Sequence, residues 1–116
     1  MKTRLALATV LATIALLSLP PTAYGFGDPP TACFEVTVQN CFLTVCFDAS
    51  CSTDDNGIWK YDWFFGDGTS GSGETVCHTF PDESTYTVRL IVWDGFVLHG
   101  GDGDSTTMQV TPTDCN

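Results

Sequence analysis

Residues able to do chemistry are few here, and their spacing limits what that chemistry could be. His78 and His99 are the only two imidazoles in the 116 residues. His99 stands in a glycine-rich stretch just ahead of Asp102, Asp104 and Ser105, so a nucleophile, base and orienting acid can be written from Ser105, His99 and either aspartate. Serine and aspartate are abundant, however, and neither a Gly-x-Ser-x-Gly elbow nor an oxyanion-forming motif accompanies them. The chain therefore reads as non-catalytic, with His78 bracing a neighbouring turn rather than taking a proton. Ser52, Asp54, Asp55 and Asn56 make a denser set of oxygen donors. Calcium takes about six to eight oxygens from carboxylates, carbonyls and hydroxyls on a flexible loop, and Asp67 could join from the following turn. The competing reading is that Asp-Asp-Asn-Gly is a solvated turn, since the spacing is not that of an EF-hand loop. Zinc is disfavoured, because no Cys-x-x-Cys or His-x-His pair is present. No other cofactor is implied.

These residues must be held by strands. In Ile58-Trp59-Lys60-Tyr61-Asp62-Trp63-Phe64-Phe65, the residues Tyr61, Trp63 and Phe65 lie two apart and share one face of an extended chain. Gly66-Asp67-Gly68 then stops the strand, because glycine reaches positive φ freely and aspartate hydrogen-bonds its own turn. Tyr86 to Trp93 repeats the pattern with Tyr86, Val88, Leu90 and Val92 on one side. Shorter alternating runs cover Phe34 to Val38, Phe42 to Asp48, Thr75 to Phe80 and Ser105 to Thr111, while Ala49 to Gly57 and Ser70 to Gly73 have loop composition. About seven short strands without helical periodicity predict an all-β sandwich. If the inner set faces a core, Asp62, Phe64, Arg89, Ile91 and Trp93 face outward. Phe64, Ile91 and Trp93 then form an apolar stripe with Trp59 at its edge, and exposed aromatic patches mark binding sites. An equal alternative is that Phe96-Val97-Leu98, in the loop from Asp94 to Asp104, folds down and covers the stripe as a second small core.

The run Tyr61-x-Trp63-x-Phe65-Gly66-Asp67-Gly68-Thr69, then His78-Thr79-Phe80, then Thr85-Tyr86-Thr87-Val88-x-Leu90-x-Val92-x-Asp94 resembles the PKD (polycystic kidney disease) domain family. Phe47-Asp48-Ala49-Ser50-x-Ser52-x-Asp54-x-Asn56-Gly57 is similar to its second strand and following loop. The resemblance runs from about Pro30 to Pro112. It implies an immunoglobulin-like β-sandwich used by extracellular proteins as a binding or spacing module. It also carries over calcium binding in the loop of Ser52, Asp54, Asp55 and Asn56, as in some PKD-like modules of secreted proteases. Phe64 stands where the family usually has aspartate and Ser84 where it usually has glycine. Six cysteines occupy positions commonly filled by small polar residues.

Lys2 and Arg4 precede an apolar run from Leu5 to Leu19, followed by Pro20-Pro21 and by Ala23-Tyr24-Gly25. This is the pattern of a secretory signal peptide over residues 1–25, and the run is shorter than the ~20 apolar residues of a membrane span. The expected mature domain, 26–116, is secreted, extracellular or periplasmic. Two basic side chains, Lys60 and Arg89, then remain against all 14 acids, a net charge of −12. Such acidity excludes nucleic acid as a partner and disfavours anionic membranes. It leaves an extracellular protein or polysaccharide as the expected partner, or a spacer role in which calcium is taken up.

An even set of six exported cysteines implies three disulfides, each contributing about 2–4 kcal/mol. Six cysteines permit fifteen pairings. A first turn centred on Gln39-Asn40 would place Cys33 opposite Cys46. In the immunoglobulin-like topology Cys41 could meet Cys115, which leaves Cys51 with Cys77.

Overall fold

The computed structural model describes residues 27–95 and 102–116. The leader expected over 1–25 and the segment Phe96-Val97-Leu98 lie outside the described residues. Among those described there are seven strands and no helix: β1 (Glu35–Gln39), β2 (Thr44–Asp48), β3 (Ile58–Phe64), β4 (Ser70–Ser72), β5 (Thr75–Thr79), β6 (Tyr86–Asp94) and β7 (Gly103–Val110). They form a three-stranded sheet in the order β1-β2-β5 and a four-stranded sheet in the order β4-β3-β6-β7. Every paired neighbour is antiparallel. This is the all-β sandwich that the alternating pattern predicts, with the immunoglobulin-like architecture that the PKD resemblance implies.

The core lies where the two strong patterns meet. Trp63 and Phe65 of the β3 stretch are buried, as are Val88, Leu90 and Val92 of β6, and Tyr61 is half-buried at the rim. From the other side come Phe34, just ahead of β1, and Val45 and Phe47 of β2. The Trp63 ring meets Phe34 edge-on at 5.0 Å between centroids and Phe47 at 5.6 Å. Its Nε1–H donates to the Gly73 carbonyl at 2.7 Å, so the one polar atom of this large side chain is satisfied inside. After β3 the chain turns at Gly66, whose φ is 83°. A Cβ there would stand 2.6 Å from the Thr87 carbonyl oxygen, so both backbone conformation and space demand glycine.

Three features depart from the sequence pattern. β1 is exposed along its whole length, with Val36 36% and Val38 45% exposed. A bulge between these residues places Val36 opposite inward Phe47 but Val38 opposite outward Cys46, so of this stretch only Phe34 reaches the core. Ser70–Ser72, flexible by composition, is paired with Asp62–Phe64 as edge strand β4. β7 begins at Gly103, two residues earlier than expected.

The disulfides are Cys33–Cys51, Cys41–Cys115 and Cys46–Cys77. The expected Cys41–Cys115 pair is present, but the expected Cys33–Cys46 and Cys51–Cys77 pairs are corrected. The reason is turn length. Gln39 pairs with Val45 and the Asn40 N–H donates to the Thr44 carbonyl, so the chain reverses through Cys41 to Leu43 rather than at Gln39-Asn40. That longer turn slides Cys33 past Cys46 toward the loop after β2. There Ser52 Oγ accepts from the Cys33 N–H at 3.0 Å and donates to its carbonyl at 2.8 Å, beside Cys51. Cys46 instead faces Cys77, its register partner on β5.

Cys41–Cys115 closes a separation of 74 residues and Cys33–Cys51 one of 18. Loop-closure entropy then makes the first about 1 kcal/mol more stabilising than the second. Urea denaturation of the two paired Cys→Ser variants is expected to show the Cys41/Cys115 variant as the less stable by about that margin.

Candidate functional site

Because Trp63, Leu90 and Val92 point inward, the residues between them form the outer face of the four-stranded sheet. Strand register sets their neighbours: Trp93 lies opposite Lys60 and Gly103, Ile91 opposite Asp62 and Ser105, and Arg89 opposite Phe64 and Thr107. β4 adds Ser72 opposite Asp62 and Ser70 opposite Phe64. Phe64 is 46% exposed, while Ile91 and Trp93 are half-buried. The expected stripe of Phe64, Ile91 and Trp93 therefore shares one face across two adjacent strands. Trp59, 72% exposed, sits in the bulge between Ile58 and Lys60. It lines a hollow of about 350 Å³ with Asn56, Ile58, Asp94 and Gly95 at the end of that sheet.

Trp93 is held in one orientation. Its Nε1–H donates to Asp62 Oδ2 at 2.9 Å, and the same oxygen pairs with Lys60 Nζ at 2.9 Å. On its other side the indole lies against the Gly103 backbone, where a Cβ would come within 2.9 Å of ring atoms Cε3 and Cζ3. The roles of Gly103 and of the serines of β4 were not visible from residue order. They depend on which strands pair and in what register, and only the outward position of Asp62 was open to inspection.

The proposed metal ligands do not come together as one set. Ser52 Oγ is committed to the Cys33 backbone. Asp55 binds the Asn56 side chain and the Asp28 N–H, and Asp54 Oδ2 accepts from the Asn56 N–H, the pattern of a turn. Asp54 Oδ1 is buried without a hydrogen-bond partner, and it alone of these atoms fits a cation ligand in waiting. Asp67 is corrected outright as a member of this set. It follows the far end of β3, about 20 Å along the strand from the loop before it. No group of three or more acidic, histidine or cysteine side chains suited to a metal occurs among the described residues.

Asp67 serves His78 instead. His78 Nε2 donates to Asp67 Oδ2 at 2.7 Å, while its ring stacks on Phe65 at 3.9 Å and meets Phe80 edge-on at 4.7 Å. The pair links β5 of one sheet to the β3–β4 turn of the other, so His78 braces a turn as its sequence context suggests. Of the Ser105–His99–Asp arrangement, His99 lies outside the described residues. Ser105 is on the outer face of β7, whereas Asp104 pairs with inward Val92 and accepts from the Ala32 N–H at 2.8 Å. Those two side chains thus leave the strand in opposite directions.

A family model described as PKD domain matches residues 26–112. The chain belongs to the PKD domain family. No curated protein sequence matches it. Among solved structures, this PKD domain is similar to the PKD1 domain of Vibrio anguillarum Epp, with 27% identity and a TM-score of 0.65 over 75% of this chain and 96% of that one. It is similar as well to the PKD1 domain of the Vibrio cholerae metalloprotease PrtV, with 28% identity and a TM-score of 0.63 over 74% and 99%. A third structure represents carbohydrate-binding modules of promiscuous specificity from the beta-sandwich superfamily. It is 31% identical with a TM-score of 0.68, over 79% of this chain and 37% of that one.

The brace has a pH signature. Burial is the largest single influence on the Asp67 carboxyl and pushes its pKa up. Hydrogen bonds from the Thr69 hydroxyl, from His78 and from the Thr69 N–H together outweigh it and hold the pKa at about 2, against ~3.9 in an unfolded chain. A carboxyl depressed on folding stabilises above its unfolded pKa, and that stabilisation is lost as pH falls through the folded value. Asp67→Asn is expected to lower stability near neutrality by about 1–3 kcal/mol. Urea midpoints measured against pH should show the gap from wild type closing between about pH 4 and pH 2.

Proposed function

We propose that this PKD domain is a secreted, non-catalytic binding module that grips an extracellular polysaccharide through the outer face of its four-stranded sheet. The observation that carries this reading is the fixed indole of Trp93, held between the Asp62 carboxylate and the Gly103 backbone. A ring already immobilised loses little further freedom when a ligand stacks on it. Pyranose rings present a face of C–H groups to an aromatic surface and a rim of hydroxyls to polar neighbours. Phe64 and Ile91 extend the apolar surface, and Ser70, Ser72, Ser105 and Thr107 supply hydroxyls along both sides. This chain is also similar to 37% of a chain described for its carbohydrate-binding modules, which is consistent with a sugar as the occupant. Three disulfides, which persist in oxidising compartments, support an extracellular setting, and the likeness to a PKD domain of a bacterial metalloprotease is consistent with it.

Binding to immobilised polysaccharides is the test. Trp93→Ala is expected to weaken it at least tenfold, about 1.4 kcal/mol, and Phe64→Ala to weaken it less. Equal retention by wild type and Trp93→Ala would remove the face from consideration, and retention on protein matrices alone would replace sugar with a protein partner.

A second reading, a spacer stabilised by calcium, is favoured by the buried, partnerless Asp54 Oδ1. Loop carbonyls beside Ser52, Asp54, Asp55 and Asn56 would complete such a site, without Asp67. Millimolar calcium is then expected to raise the thermal midpoint of the wild type and not that of Asp54→Asn. An unchanged wild-type midpoint would dismiss this reading.

A further inference from the structure

Lys60 and Arg89 are the only lysine and arginine among the described residues, and both lie on the same outer face as Trp93. Their situations differ. Lys60 is neutralised by Asp62 at 2.9 Å. Arg89 is exposed, and its guanidinium makes no hydrogen bond or ion pair among the described residues, although the chain carries 14 carboxylates. It borders a shallow hollow of about 290 Å³ shared with Ile91, Trp93, Gly103, Asp104 and Ser105, the Asp104 carboxylate itself being engaged by the Ala32 N–H. Along β6, Arg89 and Trp93 point the same way about 13 Å apart, so a polymer lying on the strand meets both at once.

A guanidinium is a planar fork of N–H donors whose geometry matches the two oxygens of a carboxylate. Among the described residues Arg89 is the only lysine or arginine without a partner, and its place beside a fixed aromatic ring gives this face a charge complement to an anion. We infer that Arg89 takes the carboxylate of a uronic acid unit in the polysaccharide chain stacked on Trp93. This deepens the reading above and rests on it. The domain's remaining carboxylates repel other anions over roughly a Debye length, about 8 Å at physiological salt. The favoured ligand is therefore a chain with spaced uronate groups on an otherwise neutral backbone, rather than a uniformly charged polyanion.

The test uses matched pairs of polysaccharides, glucuronoxylan, alginate and pectin, each in native form and after chemical reduction of its carboxyls to alcohols. Dissociation constants are measured for the wild type, Arg89→Gln, Arg89→Lys and Trp93→Ala. Expected is at least fivefold tighter binding of native than of reduced glucuronoxylan by the wild type. That ratio should collapse toward unity in Arg89→Gln, recover only in part in Arg89→Lys, and shrink as salt is raised. Trp93→Ala should lose both forms. If the tightest-bound polymer binds equally well after reduction, or if Arg89→Gln keeps the wild-type ratio, the uronate assignment is overturned while the Trp93 face stands. If the polymer bound most tightly, relative to its reduced partner, is the fully charged alginate, the preference for spaced uronates is wrong. Failure of the wild type to bind any native or reduced polymer overturns the polysaccharide reading and this inference together.

Discussion

An extended chain must send successive side chains to opposite faces, and this domain depends on that constraint at Trp63. The indole sits at the centre of the sandwich, against Phe34 and Phe47, with its Nε1–H satisfied by Gly73. Truncating a side chain of this size and burial typically costs about 3–5 kcal/mol, so the register of β3 is firmly held. Once Trp63 is inside, Asp62 and Phe64 have to be outside. The same logic in β6 places Arg89, Ile91 and Trp93 beside them. The outer face is thus a necessary counterpart of the core, and the strand positions of its residues are set as firmly as those of the buried ones.

Around that centre the domain has to contend with its own charge. Fourteen acids against two bases among residues 26–116 create self-repulsion that a small core offsets poorly. The covalent links are distributed accordingly. One joins the lead-in before β1 to the loop after β2, one joins the first turn to the last residues, and one crosses from β2 to β5. Hydrogen bonds add to this where acids would otherwise repel. Asp67 is tied to Thr69 and His78, and Asp82 accepts from both the Ser84 N–H and the Tyr86 hydroxyl.

Much of this could be read from residue order, because alternation is a local property. The sandwich, the inward set of Trp63, Phe65, Val88, Leu90 and Val92, and the outward set of Phe64, Ile91 and Trp93 all follow from a period of two. What failed was whatever depends on one strand's offset against another. The first hairpin reverses through Cys41 to Leu43 instead of Gln39-Asn40, and this shift alone misassigned two cysteine pairs. Leu43 adopts a φ of 61°, which nothing in a leucine announces. Val36 and Val38 alternate correctly, yet a bulge sends them to different faces. Asp67 resembles the acids of the earlier loop in type but sits at the far end of β3. Gly103 could be recognised as the bed of an indole only once β7 was known to pair with β6.

The scarcity of basic residues has one more effect. Proteases that cut after lysine or arginine must draw a stretch of main chain, fully extended and unpaired, into their clefts. Within the described residues such enzymes have two target bonds, after Lys60 and Arg89, and both lie in strands already hydrogen-bonded to neighbours. Cleavage at either has to wait for local opening of the sheet, which in a disulfide-linked sandwich is rare. In its native state the domain is thereby a poor substrate for trypsin-like enzymes.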